Sequence, residues 1–219
     1  MDILKYFDKV YCINLDERTD RWEQVQVEFD KIGIRGDVER WSGVKHTDGN
    51  LGCTLSHKTI IEHCKKQGLN NVLIFEDDVL FVNDDVDKLE EAFEELGEMG
   101  NWDLFYVGLT VPKDNGCCFS RVTDNILRTN FAYTTHAYAV NQQAFDPMIE
   151  SWVRHIDRGD TIVDTTLCTE IVRKRGKSFV MDPIYAIQQP GLSNIGNNVI
   201  DSYEWMIDHF DTVKRNCGV

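Results

Sequence analysis

Apolar residues follow two rhythms along this chain, short continuous runs and three-to-four-residue steps. The run at residues 10–15 has the length of a buried strand and breaks at Asn14, Leu15 and Asp16. Trp22, Val25, Phe29 and Ile32 then recur at helical spacing, which predicts a helix stopped by Gly33. Residues 52–67 predict a second helix, with Leu55, Ile60, Ile61 and Cys64 turned inward and Gly68 at its end. Val72, Leu73, Ile74 and Phe75 form a continuous apolar strand that runs straight into Glu76, Asp77 and Asp78. Val86, Leu89, Phe93 and Leu96 mark a third helix closed by Gly97. Further strands are predicted at 103–107 and 134–140, and further helices at 142–155 and 164–175.

Strands alternating with helices predict an α/β fold, a Rossmann-like α/β/α sandwich around a mainly parallel sheet. In such sheets ligands sit beyond the C-terminal ends of the strands. Asp16 and the triplet Glu76, Asp77 and Asp78 both fall at predicted strand ends. With no repeat, low-complexity tract or linker, a single domain over residues 1–219 is expected.

Composition narrows the function classes. Acids outnumber bases 37 to 23, for a net charge of −14, and that field repels phosphate. A general nucleic-acid binder is therefore not expected, and a phosphorylated ligand would need a metal or a local basic pocket. No stretch reaches the roughly 18 apolar residues of a membrane span. The N-terminal residues lack a long apolar run and a small-residue cleavage pattern. The seven cysteines are odd in number and form no C-x-x-C, which suggests reduced thiols. A cytoplasmic protein is the resulting expectation. The vicinal Cys117 and Cys118 read either as a redox pair or as small apolar residues.

Three consecutive acids are costly to hold together unless something positive neutralises them. Hard cations such as Mn²⁺ or Mg²⁺ take oxygen ligands and bridge carboxylates to ligand phosphates. Glu76 and Asp78 are two apart, so an extended chain points them to one side. The competing reading is a solvated loop capping the next helix, a job that Asp84 or Asp85 could also do. Cys53, His57 and Cys64 share a helical face and suggest zinc, without a paired second ligand group at short spacing.

These residues resemble a known family. VYCINLDERTDRW is similar to the opening strand and turn of glycosyltransferase family 25, which includes bacterial lipooligosaccharide and procollagen galactosyltransferases. GNLGCTLSHKTI and VLIFEDDVLF resemble its next two blocks in order and spacing. THAYAVNQQAF, IVDTTL and IQQPGLSNIG resemble its later ones. The resemblance implies a GT-A fold, a nucleotide-sugar donor with UDP as the expected nucleotide, and a metal, Mn²⁺ or Mg²⁺. It also implies a glycan or glycoprotein acceptor and inversion at the anomeric carbon.

On this chain the resemblance makes Asp78 and Glu76 metal ligands, with Glu76 and Asp77 also near the donor. Asn14, Asp16 and Arg18 match the first block as donor contacts, with Arg21 left open. Ser56, His57, Gln189 and Ser193 match donor-binding positions, and Asn194 lies in the same late loop. Asp164 is the expected general base, with Glu170 and then Asp157 in reserve, and His209 as a late metal ligand. Three residues also have plain structural readings: Asp16 or Asp164 as helix caps and His57 as a core histidine. The alternative function is a non-catalytic nucleotide-sugar-binding or scaffold module of the same fold.

Overall fold

The computed structural model describes residues 1–83, 85–113, 116–192, 199–200 and 204–219. Its main sheet is built from β1 (Lys9–Asn14), β2 (Val38–Ser42), β3 (Asn71–Glu76), β5 (Leu104–Thr110), β6 (Phe119–Arg121), β7 (Ile126–Thr129), β8 (Tyr133–Asn141) and β9 (Ser178–Met181), in the spatial order β2-β1-β3-β8-β5-β9-β7-β6. Strands β2, β1 and β3 are parallel neighbours, as are β5 and β9, whereas β8 runs against β3 and β5. Strand β7 likewise opposes β9 and β6. The sheet is thus mainly parallel in strand direction, with β8 and β7 reversed. A short β4 (Val79–Phe81) pairs with β10 (Ala186–Gln188), and β11 (Gly191–Leu192) pairs with β12 (Val199–Ile200).

Both faces of the inner strands are buried, which is why they read as unbroken apolar runs. Tyr11, Ile74, Tyr106 and Tyr138 face one layer, packing with Ile60 and Ile61 of α2 (Gly49–Gln67) and Phe145, Met148 and Trp152 of α4 (Gln142–Asp157). Val10, Cys12, Leu73, Phe75 and Phe105 face the other, packing with Val25 and Phe29 of α1 (Thr19–Lys31) and Leu89, Phe93 and Leu96 of α3 (Val86–Met99). The α/β/α sandwich follows directly from this period-two alternation meeting helical stripes.

Several boundaries move for local reasons. Helix α2 starts at Gly49, because Asp48 caps it by accepting from the N–H groups of Asn50 and Leu51. Its Leu55 is only half-buried, so the inward face is carried by Ile60, Ile61 and Cys64. Helix α3 runs through Gly97 and stops at Gly100, while Asp85 supplies its cap by accepting from Lys88 N. The helix expected at 164–175 is three pieces in succession, α5 (Val163–Leu167), a π-helical turn (Cys168–Val172) and α6 (Arg173–Arg175). The last helix, α7 (Glu204–Cys217), packs Phe210 and Val213 onto the α4 side. At Gly108 a Cβ would stand 1.8 Å from Ala186 O and 2.5 Å from His136 Nε2. Only glycine lets the start of β10 cross β5 that closely.

Candidate functional site

Strands β1 and β3 are parallel neighbours, so the segments leaving them open at one end of the sheet. The first turns of α2 close the third side. A cavity of about 370 Å³ lies between, lined by Asn14, Arg18, Arg21, Ser56, His57 and the Glu76–Asp78 triplet, with Cys53, Lys45 and Gln188 completing it. The sequence thus brought the right strand ends together.

Each acid of the triplet meets a different partner. Glu76 Oε1 accepts from Thr135 Oγ1 at 2.5 Å and lies 3.2 Å from His57 Nε2. Burial opposes ionisation of Glu76, but the His57 and Thr135 contacts outweigh it and hold its carboxyl below the ordinary glutamate range. Asp77 turns away to accept from Asn14 Nδ2 at 2.7 Å and Arg21 Nη1 at 3.0 Å. Burial nevertheless pushes its pKa up against those two bonds. Among the described residues, Asp78 receives a long contact of 3.5 Å from Gln188 Nε2 on Oδ2, and its shielded Oδ1 has no hydrogen-bond partner. Burial, reinforced by the charges of Glu76 and Asp77, pushes the Asp78 pKa up to about 8.

A shielded carboxylate oxygen without a donor is an unfinished site. The oxygen-rich pair Asp78 and Glu76 suits a hard divalent cation, and the orphaned oxygen is where such an ion would be needed. These residues fit the group that the resemblance implies.

The remaining predicted residues divide. Asn14 is a clasp: besides Asp77 it donates to Arg18 O, and its Oδ1 accepts from Arg40 Nε at 2.8 Å. Arg18 lines the cavity and chelates Asp20. Asp16 lies outside the lining, exposed and held by Arg40 and Ser42, and the cap position of α1 is Arg18 instead. Ser56 is committed to backbone: it accepts from Val44 N at 2.8 Å and donates to Gly52 O at 2.7 Å. That clamp presses residues 43–46 onto α2, where a Cβ on Gly52 would meet Val44 O at 2.7 Å. His57 is fully buried, with Nδ1 2.9 Å from the Tyr138 hydroxyl. The core reading of this histidine holds, and the same ring also lines the cavity.

Asp164 is not a helix cap and does not line the cavity. It accepts from the backbone N–H groups of Thr134, at 3.1 Å, and Thr165, at 2.7 Å. Among the described residues Thr134 is the one non-glycine with positive φ, +68°, so Asp164 braces a strained position beside Thr135. Glu170 is not brought to the site: it pairs with Lys174, Arg154 and His155 on the α4 side. Asp157, at the end of α4, is exposed. His209 bonds to Val111 O and stacks edge-on against Trp205, so it offers no ligand to the triplet. Gln189 reaches the site through its backbone, donating to Asp78 O at 2.6 Å. Ser193 and Asn194 lie outside the described residues.

The zinc set is also corrected. Cys64 belongs to the apolar core, while Cys53, His57 and Glu76 place one ligand atom each within 4.8 Å of one another. Residues 43–46 were missed, and Thr135, Tyr138 and Gln188 stood within the family blocks without being singled out, because no local pattern distinguishes them from loop or strand residues.

Comparison with known proteins gives the same picture. A human protein named inactive glycosyltransferase 25 family member 3 is 29% identical over 161 residues, covering 61% of this chain and 27% of that protein. Procollagen galactosyltransferase 1 of Danio rerio is 29% identical over 129 residues, 47% of this chain and 21% of that protein. The chain therefore spans about a quarter of the length of the curated relatives it matches. The crystal structure of a glycosyltransferase involved in glycosylation of the major capsid of PBCV-1 aligns over 80% of this chain and 81% of its own. Its TM-score is 0.53 at 14% identity, a likeness of fold. Among the described residues no helix is long and apolar enough to cross a membrane. The model of glycosyltransferase family 25 (LPS biosynthesis protein) matches residues 37–152, which include the triplet, α2 and β8, and the chain belongs to that family.

Proposed function

We propose that this chain is a metal-dependent glycosyltransferase domain. It would move a sugar from a nucleotide-sugar, with UDP as the expected nucleotide, to a hydroxyl of a glycan or glycoprotein, with inversion. The observation that carries this reading is the Oδ1 of Asp78, without a partner among the described residues, in a carboxylate-lined cavity at the ends of β1 and β3. Asp78 and Glu76 would hold Mn²⁺ or Mg²⁺. Bound there, the ion would offset negative charge on the departing nucleoside diphosphate.

The chain's own residues supply the rest. Arg18 and Lys45 stand at the cavity wall as cations for phosphate, with Lys45 paired to Glu17 at 2.6 Å until a ligand competes. The Asn14, Arg21 and Asp77 clasp fixes the backbone from which Asp78 projects. His57 and Thr135 keep Glu76 ionised and aimed. Asp164, oriented by two backbone N–H groups outside the cavity lining, stays the expected base on the condition that the acceptor hydroxyl is brought to it there.

Some relatives are named inactive, and this keeps the non-catalytic binding module as a second reading. Calorimetric titration of nucleotide-sugars, with Mn²⁺ and with chelator, tests the proposal. Metal-dependent binding of one donor followed by transfer to an acceptor panel is the expected result. Binding without hydrolysis or transfer would select the binding module, and no binding under any metal condition would overturn both.

A further inference from the structure

Cys53 lines the cavity, and sugar transfer leaves it without a task. It sits one helical turn before His57 on α2, and Glu76 faces both from the end of β3. The thiol sulfur, an imidazole nitrogen and a carboxylate oxygen lie within 4.8 Å of one another. His57 Nε2 and Glu76 Oε1 are 3.2 Å apart. That is close to the edge of a tetrahedron whose metal bonds are about 2.1 Å long.

We propose that Cys53, His57 and Glu76 form a transition-metal site in the cavity wall, taking Zn²⁺ in preference to hard cations, with its fourth position open to the cavity. A thiolate and an imidazole are the ligands that Zn²⁺ favours and Mg²⁺ does not. Two of the three come from one rigid helix at an i, i+4 spacing, which puts them on one face.

The outer partners of such a site are already in place. The Tyr138 hydroxyl lies 2.9 Å from His57 Nδ1, and the Thr135 hydroxyl donates to Glu76. A hydroxyl can donate or accept, so Tyr138 keeps its bond when Nδ1 carries the proton and Nε2 offers its lone pair. Cys53 and Glu76 are each partly exposed to the cavity, which gives the ion an entry path. Binding would release the thiol proton to solvent and exchange the His57–Glu76 contact for two bonds to the ion. One thiolate and one carboxylate then balance its two charges. Glu76 is shared with the hard-cation pair, so the two ions would exclude each other there. The zinc site itself does not depend on the transferase reading.

The test titrates the chelator-stripped full chain with Co²⁺ and then Zn²⁺. One equivalent of Co²⁺ should give a thiolate-to-cobalt charge-transfer band, which Zn²⁺ then bleaches. Cys53→Ser should lose the band, and His57→Gln should lose tight Zn²⁺ binding. Tyr138→Phe should weaken Zn²⁺ by about tenfold. Cys118→Ser, altering an exposed thiol elsewhere, should change nothing. Circular dichroism and the melting temperature confirm that each variant is folded, and Cys53→Ala repeats the test if Cys53→Ser is not. A band that survives in the folded Cys53 variant, Co²⁺ binding without a thiolate band, or Zn²⁺ binding lost in Asp78→Asn but kept without Cys53 would each overturn the site. No donor is used, so that failure would leave the transferase reading standing.

Discussion

Asp103 and Asp78 are both shielded aspartates beside strands of the main sheet, and the chain treats them in opposite ways. Asp103 precedes β5, is 0% exposed, and receives a two-pronged bond from Arg175 at 2.7 and 2.9 Å. Asp182, just after β9, is matched in the same way by Arg121 and Lys214. Asp78 follows β3 and, among the described residues, has no ion-pair partner and takes a 3.5 Å contact from Gln188. Where an acid lies within the fold the chain brings its own cation, and where it faces the cavity the charge is left open, as the proposed ligand role of Asp78 requires. Asp77 falls between them, lying within the triplet but closed by Arg21 and Asn14.

Asp78→Asn should break this contrast most sharply, removing metal-dependent donor binding altogether while leaving the protein folded. Its second effect has a defined sign. With the folded pKa raised to about 8 from 3.8, the cation-free protein has its full stability contribution from Asp78 below about pH 4 and loses it as pH rises through 8. The variant should therefore melt higher than wild type in chelator at pH 8, by about 1–3 kcal/mol, and the gap should close in acid. A melting series with chelator across that range checks it. An unchanged melting temperature would mean that Asp78 is already compensated.

Arg175→Met tests the other side, because it leaves Asp103 buried without its cation. A loss of about 3–5 kcal/mol in denaturant unfolding is expected. Donor affinity measured by calorimetry should not move, since Arg175 does not line the cavity.

A buried neutral group gives an intermediate case. Burial holds the His136 pKa down to about 4, against its bond to Ala186 O and the charge of Glu76. Its contribution is complete above about pH 6.5 and is lost as pH falls through 4, an effect of about 3 kcal/mol. His136→Gln should flatten the acid limb of the stability profile.

The smallest effect separates the two candidate bases. Glu170→Gln changes a surface cluster of ion pairs and should cost under about 1 kcal/mol with no change in transfer rate. Asp164→Asn keeps an acceptor for the Thr134 N–H and removes the base. A rate unchanged by Asp164→Asn would assign Asp164 to bracing Thr134 alone.

Legibility followed local signal strength. Strand β3 was plain because its run Val72–Phe75 is buried on both faces, and α2 because its apolar stripe and end glycine agree, although its start lay three residues earlier than expected. Strands β2, β4, β6, β7, β9, β10, β11 and β12 were missed. They are two to five residues long, and the edge strand β2 alternates mostly exposed positions, so neither length nor pattern distinguishes them. Glu170 was misassigned because an acid near IVDTTL looks the same whether it faces a cavity or an arginine.

By itself, the sequence determined the alternation of strands and helices, the acid triplet at a strand end, and the family blocks around it. Burial periodicity and covalent order are written along one dimension, so they can be read there. Tertiary structure decided which acid keeps an oxygen without a partner among the described residues, because that depends on groups brought together from 14, 57, 135 and 188. It also decided that Glu76, not Cys64, completes the set with Cys53 and His57. Charge compensation and ligand sets are properties of distance in space, and distance along the chain does not contain them.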